Sequence, residues 1–275
     1  MLLKYFTNKG LVKQGLVLMM LGSASFTTLN AKELKLCESE EDTKVGCVHK
    51  EYYDNGNLKA EMLLKNGKFN GIAKQYYESG NLKLETPFKD GKESGVEKHY
   101  FENGNILAEI SYKNGKADGV GKEYYENGNL KVKALFKDGK QEGIQKHYFE
   151  NGNILGEKLF KNGKVEGIAK EYSEDGNLVF ETPYKNGKLN GIVKQYYKNG
   201  DIASETSFVN GKLQGSIKFY HDKLIWQANA QNGKIISGKC SNGKPLTNAH
   251  LTKINNDINE DHFGGEYWYK ICGNN

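Results

Sequence analysis

The side chains that could catalyse a reaction or bind a metal do not come together in a familiar pattern. The six histidines are scattered. His99 and His147 occupy matching segments that a repeated β-structure would hold roughly 20 Å apart, too far to share a metal. No Gly-x-x-x-x-Gly-Lys-Ser/Thr loop is present to bind phosphate. We therefore predict a protein that is not an enzyme and uses no cofactor or metal; a catalytic site within residues 216–275 is the alternative.

The N-terminal segment resembles an export signal. Lys4, Lys9 and Lys13 precede the apolar run of residues 16–21, and Ala31 is the expected residue before cleavage. An uncleaved membrane anchor is the alternative, although the apolar run is short for a membrane span. We expect export to the periplasm, the cell surface or the medium of a bacterium.

The four cysteines lie outside the central part of the chain, at Cys37, Cys47, Cys240 and Cys272. An even number of cysteines in an exported protein is typical of disulfides, and these spacings match no common zinc site. Three pairings are open. We prefer Cys37–Cys47 and Cys240–Cys272, which would place one disulfide at each end.

Charge composition argues against nucleic acid as a ligand. Removing residues 1–31 takes away three lysines and no acid, which leaves a net charge of about +2. The chain has no arginine, the residue on which bidentate contacts with bases and phosphates depend most.

The middle of the chain repeats every 24 residues without an insertion. One series of turn glycines includes Gly56, Gly80 and Gly104, and a second includes Gly67 and Gly91. Asn-Gly between extended runs is a strong signal for a hairpin, and a fixed period of this length is typical of stacked repeats. The fold predicted is all-β: an elongated antiparallel meander of stacked 24-residue β-hairpins.

The repeat also sets domain boundaries. Residues 32–46, with an acidic run at 38–42, are interpreted as a solvated lead-in or cap. After Gly215 the pattern decays, and the last residues leave it. We expect a signal peptide at 1–31, the lead-in at 32–46, seven repeats at 47–214, degenerate repeats at 215–244 and a C-terminal cap at 245–275.

Residue pairs predict the register of each hairpin. If Ser79-Gly80 is a two-residue loop, Lys74 lies opposite Glu85. A three-residue loop would instead place Tyr76 opposite Leu82, and we prefer the first register. Equivalent pairs are Lys50–Glu61, Lys98–Glu109, Lys146–Glu157, Lys170–Glu181 and Lys194–Glu205, with Lys122–Lys133 as the like-charged exception.

Two rows of side chains are candidates for a binding surface. Their members recur every 24 residues, so stacked hairpins would align them. Packing of a thin sheet is the alternative role for the aromatic row. The tyrosine row is Tyr52, Tyr76, Tyr100, Tyr124, Tyr148, Tyr172 and Tyr196, and the lysine row is Lys50, Lys74, Lys98, Lys122, Lys146, Lys170 and Lys194.

The recurring motif Tyr-Tyr-x-Asn-Gly-Asn-Leu-Lys-x-Glu, followed by Phe-Lys-Asn-Gly-Lys-x-x-Gly, resembles the variant MORN repeat over residues 47–236. It is similar to the repeats of bacterial proteins named the YwqK family of antitoxins. The resemblance implies stacked β-hairpins and roles in protein or membrane association, and it brings no catalytic motif.

The function predicted is an exported, non-enzymatic repeat protein that presents an extended β-sheet to an unidentified protein partner. Two alternatives stay open: a peripheral protein that binds an anionic membrane surface, and an antitoxin-like inhibitor of a partner protein. Pairing of two copies as a homodimer also stays open.

Overall fold

The structure is a computed structural model that describes residues 35–221, 223–257 and 271–272. The predicted signal peptide and residues 258–270 of the predicted C-terminal cap lie outside these ranges. The two longer helices described are α1 (Glu40–Val45) and α2 (Asn248–Asp257). The strands are β1 (Cys47–Tyr52), β2 (Leu58–Lys65), β3 (Lys68–Phe69), β4 (Gly71–Tyr76), β5 (Leu82–Lys89), β6 (Lys92–Glu93), β7 (Gly95–Tyr100), β8 (Ile106–Lys113), β9 (Lys116–Tyr124), β10 (Leu130–Lys137), β11 (Lys140–Tyr148), β12 (Ile154–Lys161), β13 (Lys164–Tyr172), β14 (Leu178–Lys185), β15 (Lys188–Leu189), β16 (Gly191–Tyr196), β17 (Ile202–Val209), β18 (Lys212–His221), β19 (Lys223–Gln231) and β20 (Lys234–Cys240).

All twenty strands belong to one open antiparallel sheet. Successive strands along the chain lie side by side, so the sheet is a simple meander and the predicted fold class is confirmed. Three positions in the sheet are each occupied by two short strands in place of one long strand. β3 and β4 both pair with β2, β6 and β7 with β5, and β15 and β16 with β14.

The second turn of each repeat is a two-residue hairpin loop. Asn66 and Gly67 both have positive φ, at 52° and 67°, between the paired residues Lys65 and Lys68. A type I′ turn requires positive φ at both positions, which asparagine or aspartate followed by glycine supplies at low cost. The turn residues in the sequence therefore determine this connection directly.

The first turn differs from the predicted two-residue loop. The amide of Tyr77 donates to the carbonyl of Asn81 at 2.8 Å, and the amide of Gly80 donates to the carbonyl of Tyr77 at 2.9 Å. The loop therefore has three residues, and Tyr76 faces Leu82. The expectation of a Ser79-Gly80 loop is wrong because only Gly80 adopts positive φ there, as in a type I turn closed by a left-handed glycine.

A β-bulge nevertheless restores the predicted charge pairs. The register shifts between Gln75 and Tyr76, so Lys74 lies opposite Glu85 although the turn is one residue longer. All the predicted pairs of this kind are confirmed, including the like-charged pair of Lys122 and Lys133.

The two faces of the sheet are buried to different degrees. Adjacent residues of a strand point to opposite faces, and nearly all the buried side chains of the repeats lie on one face, which we call the core face. In the hairpin of β4 and β5, the core face carries Ala73, Leu84, Thr86 and Phe88, and the same positions of the other repeats lie on it. The buried members include Ala60, Thr86, Ile110, Val132, Ala134, Phe136 and Ala169.

The N-terminal edge of the sheet is covered. Part of the acidic run forms the first turn of α1, which Ser39 caps by accepting a bond from the amide of Asp42. The run stays exposed apart from the half-buried Asp42, as the solvated interpretation expects, and in addition it starts a capped helix. Leu36 pairs with Val48 of the edge strand β1, which reduces the number of unpaired backbone groups at that edge.

The C-terminal end has the largest cluster of buried side chains among the described residues. Trp226 is fully buried and stacks on Phe219, with ring centroids 6.2 Å apart. Helix α2 packs on β20, where the Asn255 side chain makes hydrogen bonds of 2.8 and 3.0 Å with the amide and carbonyl of Ile235. The Asn255 side chain thus satisfies backbone groups of the edge strand that a further strand would otherwise bind.

The preferred disulfide pairing is confirmed. Cys37 bonds to Cys47, and Cys240 bonds to Cys272. One bond fixes the lead-in to β1, and the other joins the end of β20 to residue 272.

We expect the protein to scatter as an elongated particle. Counting each interrupted strand once gives seventeen strand positions, which at about 4.8 Å each span roughly 80 Å before twist is considered. A globule made of residues 32–275 would have a radius of gyration of roughly 18 Å. The radius of gyration of a rod of this length is more than about 20 Å. Small-angle X-ray scattering on a monomer verified by light scattering measures this, and a near-spherical profile would contradict the open sheet.

Reduction should loosen the two ends and leave the central repeats intact. Each disulfide is worth roughly 3 kcal/mol in the chain-entropy model, and both lie at the ends. After reduction, hydrogen exchange should become faster in β1 and β20 and remain unchanged in β9–β12. Equal acceleration in the central strands would show that the ends determine the stability of the whole array.

Candidate binding face

The face opposite the core face carries a ladder of charged side chains, and we call it the ladder face. Each ladder residue lies directly opposite the next on the neighbouring strand, so the row crosses the whole array. It runs through Lys50, Glu61, Lys74, Glu85, Lys98, Glu109, Lys122, Lys133, Lys146, Glu157, Lys170, Glu181, Lys194, Glu205 and Lys218. The seven lysines predicted for a binding surface are thus brought into one row.

The ion pairs of the ladder are long and partly exposed. Representative N···O distances are 3.9 Å for Lys74–Glu61, 3.6 Å for Lys122–Glu109 and 3.4 Å for Lys218–Glu205. Exposed pairs of this kind contribute about 0.2–1 kcal/mol each. The ladder therefore contributes more to the electrostatic pattern of the face than to stability.

The predicted tyrosine row lies beside the ladder on the same face. Four of these hydroxyls, and that of Tyr220 one repeat beyond the row, donate to a ladder glutamate fifteen residues earlier. These bonds, of 2.7–2.9 Å, are Tyr76–Glu61, Tyr100–Glu85, Tyr124–Glu109, Tyr196–Glu181 and Tyr220–Glu205. Tyr148 and Tyr172 form no such bond with the described side chains. Tyr52, in the first strand, is largely exposed.

These tyrosines hold their protons more tightly than free tyrosine. Burial, followed by the hydrogen bond to the glutamate, raises the pKa of Tyr76, Tyr100, Tyr196 and Tyr220 to about 12. The same two causes, with burial first, raise the pKa of Tyr124. A neutral hydroxyl donates to the glutamate, whereas a phenolate beside that carboxylate would repel it.

A row of exposed aliphatic side chains also crosses the ladder face, two residues before the ladder lysines. Ile72, Ile144 and Ile168 are 54%, 54% and 56% exposed. Val96, Val120 and Ile192 occupy the same repeat position and are also exposed. The binding rows predicted from the sequence did not include these residues. The signal for the row is the β-branched residue that follows a third glycine series, Gly71, Gly95, Gly119, Gly143, Gly167 and Gly191.

The repeats identified from this geometry correspond to a known family. The profile described as "MORN repeat variant" matches residues 48–66, 69–90, 93–114, 117–138, 141–162, 165–186 and 189–210. This chain belongs to the MORN repeat variant family. The seven matched segments lie within the region predicted to hold seven repeats.

Comparisons outside the family profile add little to the MORN assignment. No curated protein matches the chain. Among solved structures, one described as "Crystal Structure of TcdB2-TccC3-Cdc42" is 12% identical with a TM-score of 0.20. The match covers 70% of this chain and only 12% of the other, so this MORN protein spans a small part of that chain's length. A likeness this weak carries no functional argument.

The part of the MORN protein that the structure describes holds no group of three or more histidine, cysteine or acidic side chains arranged to bind a metal. In the same ranges, no helix is long and apolar enough to span a membrane. What the ladder face offers chemically is a regular surface of charges, hydroxyls and aliphatic groups.

The raised tyrosine pKa values predict a loss of stability at alkaline pH. Unfolded tyrosine ionises near pH 10, whereas the folded residues keep their protons to about pH 12. Their contribution is therefore complete below about pH 10 and falls as the pH rises through about 12. Urea unfolding at about pH 9 and 11 should show this fall, and tyrosinate absorbance should report the late ionisation.

A control variant for this alkaline loss of stability replaces Tyr76, Tyr100, Tyr196 and Tyr220 with phenylalanine. It should lose less stability than the wild type over the same pH interval. An equal alkaline loss in the two proteins would show that other groups cause it.

Proposed function

We propose that this MORN-variant protein is a non-catalytic binding protein and that its ladder face binds a partner protein. The aliphatic row carries the proposal: in six consecutive repeats a branched side chain remains exposed on a face that is otherwise regular. A contiguous exposed apolar patch with a polar rim is typical of an interaction site. Here the lysine–glutamate ladder and the tyrosines supply that rim.

The alternation of charge favours a protein over a membrane as the partner. An anionic bilayer attracts clustered basic residues, but Lys74, Lys98, Lys170 and Lys194 each lie between two glutamates. A protein surface can match alternating charges one by one, which provides specificity more than raw affinity. Binding to an anionic membrane is accordingly one outcome of the test. The similarity to YwqK-like antitoxins makes inhibition of the bound protein a further expectation.

We also propose that the protein acts outside the cytoplasm. Two disulfides are compatible with the periplasm or the extracellular space, and residues 1–31 have the composition of an export signal. The partner is then a protein of the bacterial envelope or of the surroundings.

A photo-crosslinking experiment tests which face binds. The photoreactive residue benzoylphenylalanine is placed at Ile168 on the ladder face or at Glu171 on the core face; both belong to β13 and both are exposed. In extracts of the cells that produce the protein, irradiation should give a protein adduct of one discrete mass from position 168 and not from 171. Adding Ile144→Glu and Ile192→Glu, both at exposed positions, should reduce the adduct severalfold.

Equal adducts from the two faces, or none from either, would overturn the proposal. Lipid adducts from position 168 that are lost in high salt would assign the face to a membrane instead.

A further inference from the structure

The charge ladder alternates along its whole length except at the centre. There Lys133 of β10 occupies the position that glutamate holds in all the remaining repeats. It lies between Lys122 of β9 and Lys146 of β11. Three lysines therefore lie side by side on adjacent strands. Like charges directly opposite each other in a sheet are destabilising, so the exception has a cost in the free protein.

The outer two lysines have partners on their far sides, but the central one does not. Lys122 lies 3.6 Å from Glu109, and Lys146 lies 3.8 Å from Glu157. Lys133 has no carboxylate within ion-pair distance in the part of the chain that the structure describes. It is also exposed, whereas the glutamates at equivalent positions are half-buried.

The neighbouring tyrosine likewise lacks its usual acceptor. In five repeats the tyrosine hydroxyl donates to the glutamate fifteen residues earlier; for Tyr148 that residue is Lys133. An ammonium group is a donor and cannot accept this bond. The centre of the ladder therefore presents ammonium groups and a hydroxyl donor around a position that is missing one carboxylate.

We propose that Lys122, Lys133, Lys146 and Tyr148 form a receptor for one carboxylate from an extended segment of the partner protein. The carboxylate restores the missing negative charge of the ladder and accepts bonds from Lys133 and Tyr148. The proposal deepens the proposed function and rests on it, since it names the chemistry of the partner that the ladder face binds.

The aliphatic groups beside the lysines add a second requirement. Val120, Leu135 and Ile144 are 37%, 43% and 54% exposed, and each lies two residues from one of the three lysines on the same face. Side chains two residues apart in an extended chain are separated by about 6.6 Å. A partner strand lying along these strands would thus place an aliphatic side chain on this row when it carries Asp or Glu two residues away.

The charges flanking the receptor favour a single carboxylate over a flat anionic surface. Glu109 and Glu157 lie on either side of the lysine triplet and would repel the neighbouring headgroups of an anionic bilayer. A lone acidic side chain contacts the triplet without approaching these glutamates.

Peptide binding to matched variants tests the proposal. The probes are fluorescein-labelled extended peptides with glutamate two residues from isoleucine, with glutamine in place of the glutamate, or with serine in place of the isoleucine. Fluorescence anisotropy should show the wild type binding the first peptide about tenfold more tightly than either control, since hydrogen bonds to charged groups and a buried aliphatic side chain are each of this order.

Lys133→Glu restores the alternation seen elsewhere in the chain, so this variant should fold and melt at a higher temperature than the wild type. It should bind the glutamate peptide about tenfold less tightly. Lys140→Glu makes the same change of charge at the exposed first residue of β11 and should bind within about twofold of the wild type. Tyr148→Phe should weaken binding to a smaller degree than Lys133→Glu.

Equal affinity for the glutamate and glutamine peptides, or unchanged binding by Lys133→Glu, overturns the proposal. So does the absence of peptide binding; if the ladder face still crosslinks to a protein, the proposed function stands and only the receptor is rejected. Vesicles containing about one-third phosphatidylserine are a parallel probe. Lysine-dependent binding to these vesicles without peptide discrimination would assign the triplet to a membrane and also overturn it.

Discussion

Hydrogen bonds that join each repeat to the next are the constraint on which the whole sheet depends. The amide of Gly91 donates to the carbonyl of Phe69, the Asn81 side chain donates to the carbonyl of Glu102, and the Tyr77 hydroxyl donates to the carbonyl of Tyr100. Versions of these bonds recur along the array. Because each spans a fixed number of residues, an insertion within a repeat would break several at once. This explains physically why the period stays at 24 residues and why the motif contains asparagine, glycine and tyrosine at these positions.

The strict register turns single repeat positions into continuous rows. Outside the centre of the ladder, a lysine in one strand lies opposite the glutamate of the next. In five repeats the tyrosine two residues after the lysine also donates to a glutamate of the preceding hairpin. A substitution in one repeat is therefore felt by two neighbouring strands, as at Lys133. The same regularity produces the extended surface on which the proposed function depends, because exposed aliphatic groups recur at intervals of two strands.

A single-layer sheet has little core, so its ends need separate solutions. From residue 35 onward, where the description of the chain begins, no hairpin precedes the first repeat. The carbonyl of Thr43 in α1 accepts the bond from the amide of Gly67, in place of the preceding-hairpin carbonyl that accepts it in other repeats. At the other end, Trp226 and its neighbours form a cluster of buried side chains, and Asn255 of α2 satisfies the backbone of Ile235 in the last strand. Each end is also closed by a disulfide, which restrains the segments with the fewest sheet neighbours.

The sequence by itself determined the period, the strand order, the two-residue Asn-Gly turns and the facing of Lys74 and Glu85, because these follow from local turn chemistry and from charges at fixed spacing. It also indicated the disulfides, since Cys37 and Cys47 are close in the chain and far from the other pair. The three-residue loop closed by Gly80 and the bulge at Tyr76 were decided only by the tertiary structure. The extra loop residue and the bulge shift the register by one residue in opposite directions, so the facing of Lys74 and Glu85 reveals neither. The exposure of Ile144 and the missing acceptor of Tyr148 were likewise decided there: burial depends on which face of the sheet is covered, and a hydroxyl finds its acceptor fifteen residues away only once the hairpins have stacked.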